Sequence, residues 1–281
     1  MSQREPLLII ATGTKGVGKT YETCHVIENY IKSNEKTGKK ARKVLIFDIN
    51  MEYTAGTCKD NGVTFEAKIL DIKDLPKWTK QSRVEVRRIV PKDENGRLLN
   101  IDGMVKMLDR ILYYYRGGLL VLEDINRYLV DTRTAEIIGT MATNRHRDLD
   151  IYIHLQSLAP VTTRMWQNTQ VIRFHKQADD INRYKQRIPN AELYFIAEKL
   201  VNQKTIRDKR FFCYVQNEYS KINGKFSIRD FQKACYAYLL EHPKMVSNAQ
   251  SRFGKGKDGR DDAMKYLLND LLKYYGNPIN R

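Results

Sequence analysis

The chain has 281 residues, 42% of them hydrophobic, and carries a formal net charge of +16. That length suits one large α/β domain with a small appendage, without excluding two domains, and the charge favours polyanionic partners: nucleic acid, an anionic membrane face or an acidic protein. Four scattered cysteines, Cys24, Cys58, Cys213 and Cys235, exclude a C-x-x-C zinc pair or a dense disulfide framework and read as reduced cytosolic thiols.

In chain order, the first apolar run is Leu7–Ala11, read as a buried strand and far too short for a signal-peptide core or a bilayer span, so no membrane partner is expected. A glycine-rich turn follows, then a helix over Thr20–Ile31 and a second strand over Lys43–Phe47. Residues 83–90 alternate with period two, which predicts an edge strand or a small extra one. A helix over Ile101–Tyr114, a strand over Leu119–Leu122, a helix over Arg133–Thr143 and strands over Ile151–Leu155 and Val171–Phe174 complete the alternation. Strands alternating with helices argue for a doubly wound α/β architecture with a mostly parallel central sheet flanked by helices.

Beyond residue 176 the pattern changes. Helices are expected over Asp179–Arg187 and Ala191–Val201, a strand over Arg210–Val215, and a helix over Phe226–His242 that Ser227 and Asp230 cap and Pro243 ends. The basic, glycine-rich stretch Ser251–Arg260 reads as a flexible loop before a last helix, Asp261–Tyr275. The expected organisation is a domain over 1–205 and a small C-terminal region over 206–281, with no internal repeat.

The turn after the first strand carries the clearest chemistry. Gly13, Thr14, Lys15, Gly16, Val17, Gly18, Lys19 and Thr20 fit G-x-x-x-x-G-K-[ST] between a strand and a helix, the context a P-loop needs. The glycines let successive backbone N–H groups turn inward onto phosphate oxygens, and the helix adds the positive end of its dipole. Lys19 then reaches the β- and γ-phosphates and the Thr20 hydroxyl holds Mg²⁺, so ATP and Mg²⁺ are the expected cofactors. Lys15 precedes Lys19 by four positions, not the five of the partition-type ATPases; it adds potential near the triphosphate, faces a neighbouring subunit or is simply solvated.

Gly117–Asp124 is an apolar strand ending in two carboxylates, the form of a Walker B element. Glu123 is assigned to the Mg²⁺ side and Asp124 to the attacking water, and the reverse assignment stays open because the usual order is Asp then Glu. Gln156 ends the next strand where ligands of open α/β sheets bind, as a candidate sensor. Arg145 lies 11 residues earlier, placed to project toward another subunit's nucleotide as an arginine finger, with Arg147 as second choice. His146, His154 and His175 lack metal-ligand spacing and read as packed or solvated.

Together GTKGVGKT, the strand ending Phe47-Asp48-Ile49-Asn50-Met51-Glu52-Tyr53, LLVLED and the Arg145 to Gln156 spacing resemble the FtsK/HerA superfamily of ring-forming DNA-pumping ATPases. Within it the likeness is to the small packaging ATPases of tailed phages, over about residues 7 to 176. The resemblance implies a RecA-like (ASCE) P-loop NTPase fold, a homo-oligomeric ring, pentamer or hexamer, a trans-acting arginine matching Arg145 and a sensor matching Gln156. It implies site roles for Asp48 and Glu52, a phage portal or procapsid partner, and a virus-encoded protein in the cytoplasm of the host cell.

Basic clusters at 36–43, Arg87-Arg88, 204–210 and 252–260 could neutralise double-stranded DNA without reading its sequence. Tyr113-Tyr114-Tyr115 is set down as packing more than base stacking. The leading expectation is an ATP-driven motor that moves duplex DNA, in viral genome packaging. The alternatives are a zonula occludens toxin-like phage assembly or secretion ATPase and a nucleotide-gated DNA-binding switch with little turnover.

Overall fold

The structure, a computed structural model, describes residues 5–125, 139, 144–254 and 256–276, with Asn144 and Arg145 described at the backbone alone. The expected helix over Arg133–Thr143 lies outside the described residues except at Gly139. Among the described residues nine strands form a mostly parallel sheet: β1 (Leu8–Thr12), β2 (Lys43–Phe47), β3 (Lys68–Ile69), β4 (Val86–Ile89), β5 (Gly118–Leu122), β6 (Leu149–Leu155), β7 (Val171–Phe174), β8 (Cys213–Gln216) and β9 (Lys221–Asn223). Their order is β3-β4-β2-β5-β6-β1-β7-β8-β9. The described helices, numbered in chain order, are α1 (Lys19–Tyr30), α2 (Ala55–Asp60), α3 (Leu75–Lys80), α4 (Ile101–Tyr114), α5 (Thr163–Asn168), α6 (Ala191–Thr205), α7 (Ile228–Glu241), α8 (Pro243–Gln250) and α9 (Lys257–Tyr275). The chain divides into two compact units.

The first unit takes its described residues from Met1–Ala11, Gly18–Gln156 and Pro160–Thr169. Strands β2 and β5 are buried at every position and β6 along its whole length, as expected of parallel strands covered on both faces. Ala11, Cys24, Ile27, Val44, Ile46, Tyr53, Leu119, Val121 and Tyr152 belong to one core cluster. Residues 83–90 do yield a strand, β4, but it pairs parallel with both β2 and β3 and is not an edge; the two-residue β3 lies outside it. Tyr115 is buried and its hydroxyl donates to the carbonyls of Lys43 at 3.0 Å and Leu119 at 3.3 Å, while Tyr113 is exposed.

The second unit takes Thr12–Val17, Ser157–Ala159 and Gln170–Arg281. Here β7, β8 and β9 run antiparallel, and α7 opens on the expected capping box, Ser227 with Asp230. Two expectations are corrected. The helix over Asp179–Arg187 is a short 3-10 turn, Ile181–Tyr184, because Ile181 and Ile188 alone supply apolar anchors in a polar run. The loop over Ser251–Arg260 is shorter than expected, since α9 starts at Lys257, capped by Gly256 at φ 100°. All four cysteines are free and buried.

Candidate functional site

The loop between β1 and α1 is set by its glycines. Gly13, Gly16 and Gly18 have φ of 152°, 82° and 87°, conformations that a β-carbon would strain. Within the second unit, the Thr14 N–H donates to the Lys176 carbonyl at 2.9 Å and the His175 N–H to the Thr12 carbonyl at 2.9 Å. A β-carbon on Gly13 would stand 2.6 Å from that of His175. Lys15 is exposed and Val17 buried.

In the first unit, Gly18 caps α1 without a side-chain bond, so the N–H groups of the first turn face outward beside Lys19 and Thr20. The register of the sheet then fixes what meets this helix end. Phe47 pairs with Leu122 and Leu122 with Ile153, so the next residue on each strand forms a row: Asp48, Glu123 and His154. All three are buried, at the carboxyl ends of β2, β5 and β6.

Glu123 is the hub of the row. Its Oε1 accepts from the Tyr53 hydroxyl at 2.5 Å and lies 3.0 Å from His154 Nδ1, an ion-pair contact whose N–H is out of line for a hydrogen bond. His154 Nε2 in turn meets the Thr23 hydroxyl of α1 at 2.8 Å. Burial opposes the charge on Glu123, but the close His154 imidazole, the bond from Tyr53 and the field of Lys19 together outweigh it and hold the carboxyl below its ordinary range.

Asp48 works behind the site. Its carboxylate accepts from the backbone N–H of Glu52 at 2.8 Å and of Tyr53 at 3.2 Å, and pairs with Arg88 Nη1 at 2.9 Å. It thereby pins the turn that delivers Glu52 and Tyr53. Glu52 accepts from the Thr20 hydroxyl at 2.5 Å. Burial pushes the Glu52 carboxyl above its ordinary range; the Thr20 bond and His154 work against that, and the charges of Glu123 and Asp124 add to it. Asp124 is half-buried, has φ of 41° and accepts from Asn50 Nδ2 at 2.8 Å.

Among the described residues no group of three or more His, Cys, Asp or Glu could hold a metal by itself. The donor set fits a magnesium ion that keeps waters and phosphate oxygens: a hydroxyl, Thr20, with the negative charges of Glu52, Glu123 and Asp124 acting on one another nearby.

The structure thus gathers Lys19, Thr20, Asp48, Glu52 and Glu123 around one helix end, with Asp124 adjoining. Gln156 follows β6 directly and is exposed. Arg147 lies before the other end of β6, a strand about 20 Å long at about 3.3 Å per residue, so it does not join the acids of its own chain. Burial and the neighbouring Arg116 charge lower its pKa. Arg145 sits in the 3-10 turn Asn144–Arg147, and its side chain lies outside the described residues.

His154, set aside on sequence grounds, is packed as expected, yet against Glu123. The basic pair Arg87-Arg88 is engaged internally, with Glu85 at 3.0 Å and Asp48 at 2.9 Å, and so is a poor nucleic-acid surface. Residues 32–40 and 206–210 are exposed. No described helix is long and apolar enough to cross a membrane.

No protein-family model and no curated protein matches the chain. Among solved structures it is similar to B204, the DNA-packaging ATPase of Sulfolobus turreted icosahedral virus, at 14% identity and a TM-score of 0.51 over 80% of this chain and 100% of that one. The genome-packaging NTPase B204 of Sulfolobus turreted icosahedral virus 2, in complex with ATP-gammaS, matches at 14% identity and a TM-score of 0.50 over 79% and 97%. The N-terminal domain of zonular occludens toxin from Neisseria meningitidis matches at 13% identity and a TM-score of 0.35 over 60% and 76%. The two B204 likenesses establish the fold, that of a P-loop NTPase.

Proposed function

We propose that this chain is an ATP-hydrolysing motor that moves double-stranded DNA, in the packaging of a viral genome. One observation carries the reading: Glu123, buried at the end of β5, shares one cluster with Lys19 and Thr20 of the loop helix and with the turn after β2. A helix N-terminus with a lysine and a hydroxyl supplies what a triphosphate needs, and a clamped acid beside it supplies what hydrolysis needs. The fold shared with B204, which is a DNA-packaging ATPase, and the net charge of +16 support the cargo.

In this reading Gly13 to Thr20 enclose the phosphates of ATP, Lys19 reaches the β- and γ-oxygens, and Thr20 with Glu123 would hold Mg²⁺, which when bound neutralises charge on the phosphates. Asp124 orients the attacking water, Gln156 senses the terminal phosphate, and Asp48 and Glu52 shape the floor. Arg145, or Arg147 behind it, acts on the nucleotide of the next subunit in a homo-oligomeric ring. The distance of Arg147 from its own acids suits that role. Residues 206–281 serve as a docking or DNA-gripping region, a portal or procapsid is the assembly partner, and the infected cell's cytoplasm is the setting.

The test is steady-state ATP hydrolysis with and without duplex DNA, for the unmodified chain, Lys19→Ala and Arg145→Ala. DNA-stimulated turnover, lost in both variants and partly regained on mixing them, is the expected result. Turnover indifferent to DNA would remove the motor, and no turnover at all would leave a binding switch.

A further inference from the structure

Glu123 is the residue on which the proposed hydrolysis depends, and a glutamate at a strand end has three torsions free to aim its carboxylate. Two side chains remove that freedom. The Tyr53 hydroxyl and His154 Nδ1 both contact Oε1, at 2.5 and 3.0 Å, from elements on opposite sides of β5 in the sheet, the turn after β2 and the end of β6. With both partners on Oε1, that oxygen is held from two sides.

His154 is itself held. Its Nε2 lies 2.8 Å from the Thr23 hydroxyl, and Thr23, His154 and Glu123 are 0%, 0% and 3% exposed. With Thr23 donating to a neutral ring, or accepting from Nε2–H of a charged one, Nδ1 carries the proton that faces the carboxylate. Thr23 lies three residues beyond Thr20 on α1, so one helical turn separates the hydroxyl that meets Glu52 from the one that meets His154. A carboxylate, an imidazole and a hydroxyl therefore form one buried chain linking the acid to the helix that the phosphate loop starts.

We infer that His154 is a positioning residue for Glu123, anchored to α1 by Thr23. The inference rests on the reading of Glu123 as an acid of an ATPase site. His154 does not touch substrate in this arrangement; it sets where the carboxylate points. A misplacement of about 1 Å at a reacting group can cost about 100-fold in rate.

The experiment compares His154→Leu, His154→Asn and Thr23→Val with the unmodified chain in three measurements: steady-state ATP kinetics, calorimetric binding of a non-hydrolysable ATP analogue with Mg²⁺, and thermal melting. His154→Leu should lower kcat by about 10- to 100-fold while KM and analogue affinity stay within about threefold. His154→Asn, whose amide nitrogen falls near the Nδ1 position, should recover most of that loss, and Thr23→Val should lose about three- to tenfold. If His154→Leu fails to fold, Thr23→Val and His154→Asn still decide the matter. Unchanged kcat in Thr23→Val and His154→Leu, or an equal loss of analogue affinity and melting temperature in every variant, would overturn the inference. Absence of ATP turnover in the unmodified chain would instead refute the proposed function.

Discussion

Glu123, just after β5, and His154, near the end of the neighbouring parallel strand β6, stand one residue past the matched pair Leu122 and Ile153 and meet at 3.0 Å with both side chains buried. The register of two strands thus places an acid and an imidazole in one row, with Asp48 from β2 as its third member. The charges in the row are balanced from behind by Arg88 and in front by Lys19, which lets acids persist where burial alone would neutralise them.

The hydroxyl of Tyr53 reaches the same Oε1 at 2.5 Å. Tyr53→Phe keeps the ring in the core and deletes one hydrogen bond to a charged group, a loss of about 1.5 kcal/mol. If that bond aims Glu123 in the transition state, kcat should fall roughly tenfold with KM nearly unchanged. Steady-state ATP kinetics check this, and a rise in KM alone would mean that Tyr53 serves binding.

Arg88 supplies the ion pair to Asp48, whose carboxylate is fully buried and also caps the backbone of Glu52 and Tyr53. Arg88→Met leaves that charge uncompensated, and removing one partner of a buried pair costs about 3–5 kcal/mol. Urea unfolding should show a loss near the lower end of that range, since Arg88 itself is partly exposed. A change under about 0.5 kcal/mol would put the pair in the class of surface bridges.

Two glycines of the loop should respond differently. A β-carbon on Gly13 would stand 2.6 Å from His175 Cβ, whereas one on Gly16 meets nothing within 4 Å and is opposed by its φ of 82° alone. Gly16→Ala should therefore cost about 1 kcal/mol and keep nucleotide binding, and Gly13→Ala should cost more and weaken it. Melting and nucleotide titration of the two variants check the ranking; equal effects would contradict it.

Glu198 on α6 gives the second unit a pH dependence. Burial pushes its carboxyl up to about 7 from an ordinary 4.5, with Asp180 and Glu241 adding to the shift and Lys199 opposing it. The folded state then holds a proton that the unfolded chain releases, so this stabilisation is full below about pH 4.5 and is lost as pH rises through about 7. Glu198→Gln, which cannot ionise, should be more stable than the unmodified chain at pH 8 by about 1–2 kcal/mol after allowance for solvent screening, and the advantage should shrink toward pH 5. Melting across that range checks the sign; an advantage that grows on acidification would contradict it.

Much of the fold was legible because parallel strands covered on both faces read as short unbroken apolar runs, as at Lys43–Phe47 and Val171–Phe174, both found at their expected bounds. The short elements were not. Strand β3 has two exposed residues, and α2, Ala-Gly-Thr-Cys-Lys-Asp, has no apolar stripe to mark it. In the site, the phosphate loop and the acids announce themselves by spacing, whereas His154 and Tyr53 act through register and a turn, which no local pattern encodes. A signal for His154 was present: a lone imidazole inside the apolar strand Leu149–Leu155 needs a buried partner. As a basic pair Arg87-Arg88 has the pattern of surface cations, and only the pairing of β4 with β2 sets Arg88 beside Asp48.

The proposed function requires the helix end at Lys19 and the acid at Glu123 to serve one magnesium nucleotide. Calorimetric titration with a non-hydrolysable ATP analogue and Mg²⁺, run on the unmodified chain, Lys19→Ala and Glu123→Gln, tests it most directly. Micromolar binding by the unmodified chain, no measurable binding by Lys19→Ala, and binding retained by Glu123→Gln are the results expected. Equal affinity in the unmodified chain and Lys19→Ala, or none in either, would contradict it.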